Sequence, residues 1–198
     1  MKKGLLIVLT GPSGVGKRTA WQPIINDKDL NLIFSVSMTT RPKRINEVEG
    51  VDYFFVSKEE FKKAIAGNKL LEYAIFADNY YGTPKEFVEK VRNSGKNIFL
   101  EIEPQGGLNI IKLCKKENDD GLLTIFIIPP SLEDLKNRLQ NRKTESEEVI
   151  NKRLQQAKWE INQSSLYQHV LVNKTNSALD TTKQIKEIIL DRIKNGNK

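Results

Sequence analysis

At 198 residues, with 38% hydrophobic and 29% charged residues, the chain has the composition of a soluble globular protein and the length of one buried α/β domain rather than two. No apolar run reaches membrane-spanning length, and Met1-Lys2-Lys3 with Leu5–Leu9 is too short for a secretory core. A single Cys114 and a lone His169 exclude an internal disulfide and a histidine-rich metal site. The formal charge of +7 and a pI near 9.3 raise nucleic acid as a partner, but the lysines scatter along helices while the arginines gather at Arg41/Arg44 and at Arg138, Arg142 and Arg153, which suits small phosphates. The expectation is a cytoplasmic protein with neither a nucleic-acid nor a membrane partner.

The first element is the apolar run Leu5–Leu9, which reads as a strand buried on both faces of a parallel sheet. Thr10-Gly11-Pro12-Ser13-Gly14-Val15-Gly16-Lys17-Arg18-Thr19 follows: a glycine-rich turn whose backbone N–H groups converge on an anion, then a lysine placed to reach the β- and γ-phosphates of a nucleoside triphosphate. The general pattern has a metal-binding Ser or Thr after the lysine, and here the residue is Arg18. Thr19 is rotated about 100° around a helix from that position and does not substitute for it. Magnesium is therefore expected to be held mainly by phosphates and water. Pro23 predicts a short or bent helix after the loop.

Asn31–Ser37 reads as a strand, followed by the basic loop Met38–Arg44, and Val51–Val56 as another strand. Ser57-x-x-Glu60 is a capping box that opens a helix ending at Gly67. Leu70–Phe76 is a strand, and Ala77–Gly82 a turn carrying two tyrosines. Thr83-Pro84-Lys85-Glu86 has the form of an N-cap, a proline at the first helical position and an acid three after the cap, predicting a helix to Ser94-Gly95. Asn97–Ile102, with Glu101 inside it, and Leu122–Ile128 are buried strands flanking a helix over Gln105–Glu117, so strand and helix alternate as in a doubly wound parallel sheet. Ser131 caps a helix on which Arg138 and Arg142 share a face. Thr144-x-x-Glu147 caps the next, with Ile150, Leu154, Ala157 and Ile161 on its buried stripe and Arg153 near its start. His169–Asn173 is a last strand, and Ile185, Ile188, Ile189 and Ile193 give the final helix its packing face.

Several motifs together resemble guanylate kinase over essentially the whole length. They are the Gly11–Lys17 loop, Ser35-Val36-Ser37-x-Thr39-Thr40-Arg41-x-x-Arg44, Glu49-Gly50-x-Asp52-Tyr53-x-Phe55-Val56, Leu71-Glu72-Tyr73-Ala74 and Asn79-Tyr80-Tyr81-Gly82-Thr83. Downstream are Leu100-Glu101-Ile102-x-x-Gln105-Gly106 and Arg138-Leu139-x-x-Arg142-x-Thr144-Glu145-Ser146 through Arg153-Leu154. The resemblance implies an α/β fold with the parallel sheet of P-loop nucleoside-triphosphate hydrolases, flanked by helices. It implies a single domain over 1–198: a core of about 1–30, 84–128 and 166–198, a strand-rich GMP-binding insertion of about 31–83, and a helical lid of about 129–165.

The activity implied is transfer of the ATP γ-phosphoryl group to GMP or dGMP, giving ADP and GDP, with Mg²⁺ on the ATP. Gly11 to Thr19 would hold ATP. Ser37, Glu72, Thr83 and Glu101 would read guanine, whose N1–H and N2–H₂ donors match carboxylates and whose O6 matches a hydroxyl. Arg41, Arg44, Tyr53 and Tyr81 would hold the GMP phosphate, and Lys17, Arg138, Arg142 and Arg153 would surround the transferring group. Little covalent chemistry is needed, because the acceptor oxygen is already anionic.

The chain departs from the family pattern at three positions. Arg18 stands where Gly or Ser is usual; Glu103 stands where Asp is usual and is a candidate for the metal's outer shell, no direct protein ligand being expected; and Lys174 stands where an acid is common. Two alternatives are a non-catalytic guanylate-kinase-like interaction module and a kinase for another monophosphate. The presence of Lys17 and the three arginines argues against the first, and Glu72 with Glu101 against the second.

Overall fold

The computed structural model describes residues 2–76, 78–141, 146–175 and 177–196. In chain order the elements are β1 (Leu6–Thr10), α1 (Lys17–Trp21), a 3-10 turn (Gln22–Ile24), β2 (Leu32–Phe34), β3 (Ser37–Thr39), β4 (Tyr53–Phe55), α2 (Lys58–Ala66), β5 (Leu70–Phe76), β6 (Asn79–Pro84) and α3 (Lys85–Asn93). They continue with β7 (Asn97–Glu101), α4 (Pro104–Glu117), β8 (Leu122–Ile128), α5 (Leu132–Asn141), α6 (Glu147–Asn162), a 3-10 turn (Ser164–Leu166), β9 (His169–Val172) and α7 (Ala178–Asn195).

Five strands pair in parallel in the order β2-β7-β1-β8-β9, with β1 at the centre. Their side chains alternate between two apolar layers, which is why the strands read as continuous hydrophobic runs. Ile7, Leu9, Phe99, Ile125 and Ile127 face Trp21 of α1 and Ile185 and Ile189 of α7. Leu6, Val8, Ile98 and Leu100 face Val88 and Val91 of α3 and Ile110 and Cys114 of α4. The loop after β1 thus leaves the carboxyl end of the central strand, where open α/β sheets bind ligands.

A second sheet, in the order β4-β3-β6-β5, carries α2 on one face through Phe61, Ala64 and Leu70. The Ser57–Glu60 capping box is formed in both directions. Helices α5 and α6 pack through Leu135, Leu139, Ile150 and Ala157. Helix α1 stops after five residues and passes into a 3-10 turn at Pro23, as expected. Among the described residues no helix is long and apolar enough to cross a membrane.

Four local expectations are corrected. Asn31–Ser37 is not one strand: Leu32–Phe34 pairs with β7 in the parallel sheet, whereas Ser37 belongs to β3 in the other. Asn79–Gly82 is not a turn; it is part of β6, the chain reversing at Asp78 with φ 62°. Thr83 does not cap α3, because strand pairing continues to Pro84 and the threonine hydroxyl is engaged across the sheet. The helix expected from Thr144 begins at Glu147, with Ser146 Oγ accepting from Val149 N at 3.5 Å; Thr144 itself lies outside the described residues.

Candidate active site

Between β1 and α1 the chain turns through Gly11, Gly14 and Gly16, with φ of 150°, 90° and 90°. A Cβ on Gly11 would lie 2.2 Å from the Ile127 carbonyl oxygen of β8, so only glycine fits there. Lys17 is 9% exposed, and its Nζ donates to the Gly11 carbonyl at 2.7 Å, which holds the ammonium inside the loop. The far side of the loop is braced at Val15. Its carbonyl accepts from Asn173 Nδ2 at 2.8 Å and from Arg138 Nη1 at 2.9 Å, and Arg138 Nη2 also donates to the Asn173 carbonyl at 2.7 Å.

A cleft of about 350 Å³ opens from this loop toward the second sheet, lined by Lys17, Arg18, Ser37, Arg41, Arg44, Tyr53, Tyr81, Glu101, Glu103 and Arg153. A smaller cavity of about 30 Å³ shares Lys17, Ser37, Tyr53, Tyr81, Glu101 and Glu103 with the cleft and adds Glu72. Strand geometry puts Glu72 there. Leu70, Glu72 and Ala74 occupy the buried row of β5, and a register irregularity between Leu70 and Glu72 sets Glu72 directly opposite Thr83 of β6. Thr83 Oγ1 donates to Glu72 Oε1 at 2.7 Å.

Burial dominates the electrostatics of this cavity. Glu72 is 7% exposed, and desolvation pushes its carboxyl up to about 7 against the Thr83 hydrogen bond. The Tyr53 phenol is pushed well above its usual range, chiefly by burial and then by Glu103 and Glu101, so it stays protonated and able to donate. Arg41 is gripped in a fork by Glu47, at 3.0 Å from Nη1 and 2.7 Å from Nη2, and its guanidinium lies 5.5 Å from the Tyr53 ring centroid. Glu101 accepts from the Trp21 indole N–H. Glu103 Oε2 is buried without a protein hydrogen-bond partner. Among the described residues, no cluster of three or more His, Cys, Asp or Glu is placed to hold a metal ion.

The guanylate kinase family model matches residues 3–192. A guanylate kinase of Bacillus subtilis is 47% identical over 96% of this chain and 89% of its own length, and one of Oceanobacillus iheyensis is 46% identical over 93% and 87%. The crystal structure of guanylate kinase from Anaplasma phagocytophilum superposes with a TM-score of 0.73 at 30% identity, covering 95% of this chain and 85% of that one. The chain belongs to the guanylate kinase family. Its parallel sheet and glycine loop are the P-loop fold that the family shares.

Among the residues that the family motifs single out, Lys17, Ser37, Arg41, Arg44, Tyr53, Tyr81, Glu101 and Arg153 converge on one cleft, and Glu72 closes its inner end. Thr83 is fully buried behind Glu72, and Arg138 sits against Val15 and Asn173 rather than along the cleft wall. Arg142 lies outside the described residues. The sequence alone gives no role to Glu47, which occupies the Arg41 fork, to Trp21, which holds Glu101, or to the motif residue Asp52, which pairs with Arg18. It also gives none to Glu160, 3% exposed on α6, whose carboxyl is pushed up to about 7 by burial and then by Glu103. Glu47 had a signal, an acid three residues beyond Arg44. Trp21 and Glu160 carry no local signal, because Trp21 meets Glu101 and Glu160 meets Glu103 only once segments distant in sequence come together.

Proposed function

We propose that the chain is an ATP:GMP phosphotransferase that moves the γ-phosphoryl group of ATP in line onto a phosphate oxygen of GMP, giving ADP and GDP for purine nucleotide metabolism in the cytoplasm. The observation that carries the reading is the buried Glu72 carboxyl in the same cavity as Lys17 of the phosphate loop: a base-reading acid and a phosphate-holding lysine share one enclosure. Guanine presents two adjacent donors to Glu72 and Glu101, whereas adenine in that place leaves buried carboxylates unpaired. Ser37 supplies the hydroxyl for O6, with Thr83 fixing Glu72 from behind.

Arg41, Arg44, Tyr53 and Tyr81 hold the GMP phosphate, which displaces Glu47 from the Arg41 fork as it binds. Gly11 to Thr19 wrap the ATP phosphates, and Lys17 turns from the Gly11 carbonyl to the β- and γ-oxygens. Arg153, with Arg142, approaches the transferring group as the segment over 129–165 closes, excluding water. Arg138 steadies the loop through Val15. The orphaned oxygen of Glu103 would hold the water shell of a Mg²⁺ accompanying ATP, and such an ion would neutralise charge on the phosphates.

The test is ADP formation from MgATP with GMP, dGMP, AMP, dTMP or no acceptor. Turnover is expected with the guanine nucleotides alone, and Lys17→Ala should lower kcat by about 10² to 10³-fold. Equal turnover with AMP, or a fully active Lys17→Ala protein, would refute the assignment.

A further inference from the structure

Helix α4 opens Pro104-Gln105-Gly106-Gly107, an unusual composition for a first turn, since each glycine costs a helix about 1 kcal/mol relative to alanine. Gly106 is buried, and it is not among the positive-φ glycines, so its backbone does not demand glycine. What demands it is space. A Cβ at position 106 would lie 2.3 Å from Glu72 Oε2 and 3.0 Å from Glu72 Cδ, with Ile102 Cδ1 at 3.5 Å.

The other oxygen of the same carboxyl is fixed by Thr83 Oγ1 at 2.7 Å, and Thr83 sits directly across the sheet from Glu72. The carboxyl is therefore set by two surfaces: a hydroxyl donor on β6 that pulls one oxygen, and a bare helix backbone that lets the other approach. We infer that Gly106 is a specificity-positioning residue for acceptor recognition, which acts through Glu72 by leaving room for its carboxyl at the floor of the cavity.

The inference rests on the reading of Glu72 as the group that takes the guanine donors. A methyl group at position 106 displaces the carboxyl by roughly an ångström, and a misplacement of that size costs on the order of 10²-fold where geometry decides recognition.

The experiment measures GMP KM, ATP KM and the preference for GMP over IMP, which lacks the 2-amino donor. The proteins are wild type, Gly106→Ala, Glu72→Gln, Glu72→Ala and the Gly106→Ala/Glu72→Ala double variant, each also with its thermal midpoint. Gly106→Ala is expected to raise GMP KM about 10- to 100-fold and to lower the GMP/IMP preference about tenfold or more, with ATP KM within about twofold of wild type. In the Glu72→Ala background the same change should leave the kinetics unaltered and should not lower the thermal midpoint, because the atoms that it meets are gone and alanine favours the helix. That comparison also stands if Gly106→Ala alone fails to fold, since the double variant is then expected to fold.

Two results overturn the inference while leaving Glu72 as the base reader: a lost GMP/IMP preference in Glu72→Gln with the preference intact in folded Gly106→Ala, or a double variant that fails to fold where Glu72→Ala folds. An unchanged GMP/IMP preference and GMP KM in Glu72→Gln would overturn the base-reading assignment itself, and the inference with it.

Discussion

Arg18 of α1 forms an ion pair with Asp52 in the loop before β4, reaching from the phosphate loop to the second sheet. Asp52 also accepts from Val48 N at 2.8 Å, and this bond together with Arg18 holds its carboxyl below the usual range. The residue that breaks the phosphate-loop pattern thus has a partner across the cleft. The Arg18 side chain is half exposed, and such pairs contribute at most about 1 kcal/mol. Arg18→Ser is therefore expected to leave ATP KM and kcat within about twofold and to raise GMP KM by no more than about fivefold, with Asp52→Asn matching it. Steady-state kinetics at low and high salt check this: the GMP effect should shrink as salt screens the pair. A large rise in ATP KM would mean that Arg18 acts on the triphosphate instead.

Glu72 gives GMP binding a pH dependence of fixed sign. Burial pushes its carboxyl up from the usual glutamate range to about 7 in the folded protein. Below pH 7 the group must lose a proton before it accepts from guanine, so affinity should climb with pH up to about 7 and level above it. The folded state holds the extra proton between about pH 4.5 and 7, so Glu72 makes the protein less stable as pH rises across that window. Calorimetric GMP titrations at pH 6, 7 and 8, in buffers of different ionisation enthalpy, should show proton release at pH 6 and 7. In Glu72→Gln only the contribution of the nucleotide's own phosphate should remain.

Trp21 joins the phosphate-loop helix to the acceptor cavity. Its indole stacks on Phe34 at 4.6 Å and 11°, and its N–H donates to Glu101, which lines the cavity. Trp21→Phe keeps most of the stack and deletes the donor. The expected result is a loss of about 1–2 kcal/mol of stability and a several-fold higher GMP KM, because Glu101 loses the bond that aims it. Urea unfolding and steady-state kinetics read the two effects separately. The other tryptophan, Trp159, is exposed, so in a Trp159→Phe background the emission of Trp21 should change on GMP binding.

The parts of the fold that were legible in the sequence are those whose signal is local. Leu70–Phe76 and Leu122–Ile128 are strands with the expected bounds, because an apolar run between punctuating residues needs no partner to be read. Ser57 and Glu60 cap α2 because a capping box is closed within four residues. Thr83 failed as a cap for the opposite reason: its hydroxyl had a competing partner eleven residues upstream, visible only once β5 and β6 pair. Tyr80 and Tyr81 likewise carry turn-like neighbours but are held extended by β3 and β5. In the site, the glycine loop and its lysine were legible as a continuous motif. The hold of Trp21 on Glu101 and the clearance of Gly106 for Glu72 were not, since each depends on a contact between distant segments.

Arg92 and Asp119 test the end of the sheet away from the cleft. Arg92 is 4% exposed, donates from Nη2 to Asp119 Oδ1 at 2.8 Å and from Nε to the Gly4 carbonyl at 2.8 Å, and so ties α3 to the turn before β8 and to the chain entering β1. Gly121 leaves room for it, since a Cβ there would lie 2.6 Å from Nη2. Asp119→Asn would leave a guanidinium buried without its counter-charge, and a broken buried pair costs about 3–5 kcal/mol. Arg92 lowers the Asp119 carboxyl in the folded state, so this stability is present above the unfolded carboxylate range and is lost as pH falls through the folded value. Urea midpoints should therefore separate wild type from Asp119→Asn widely at pH 7 and converge in acid. Turnover per folded molecule at low temperature should be unchanged, because none of these residues borders the cleft. A midpoint at pH 7 equal to that of wild type would mean that Gly4 and solvent satisfy Arg92 without the carboxylate.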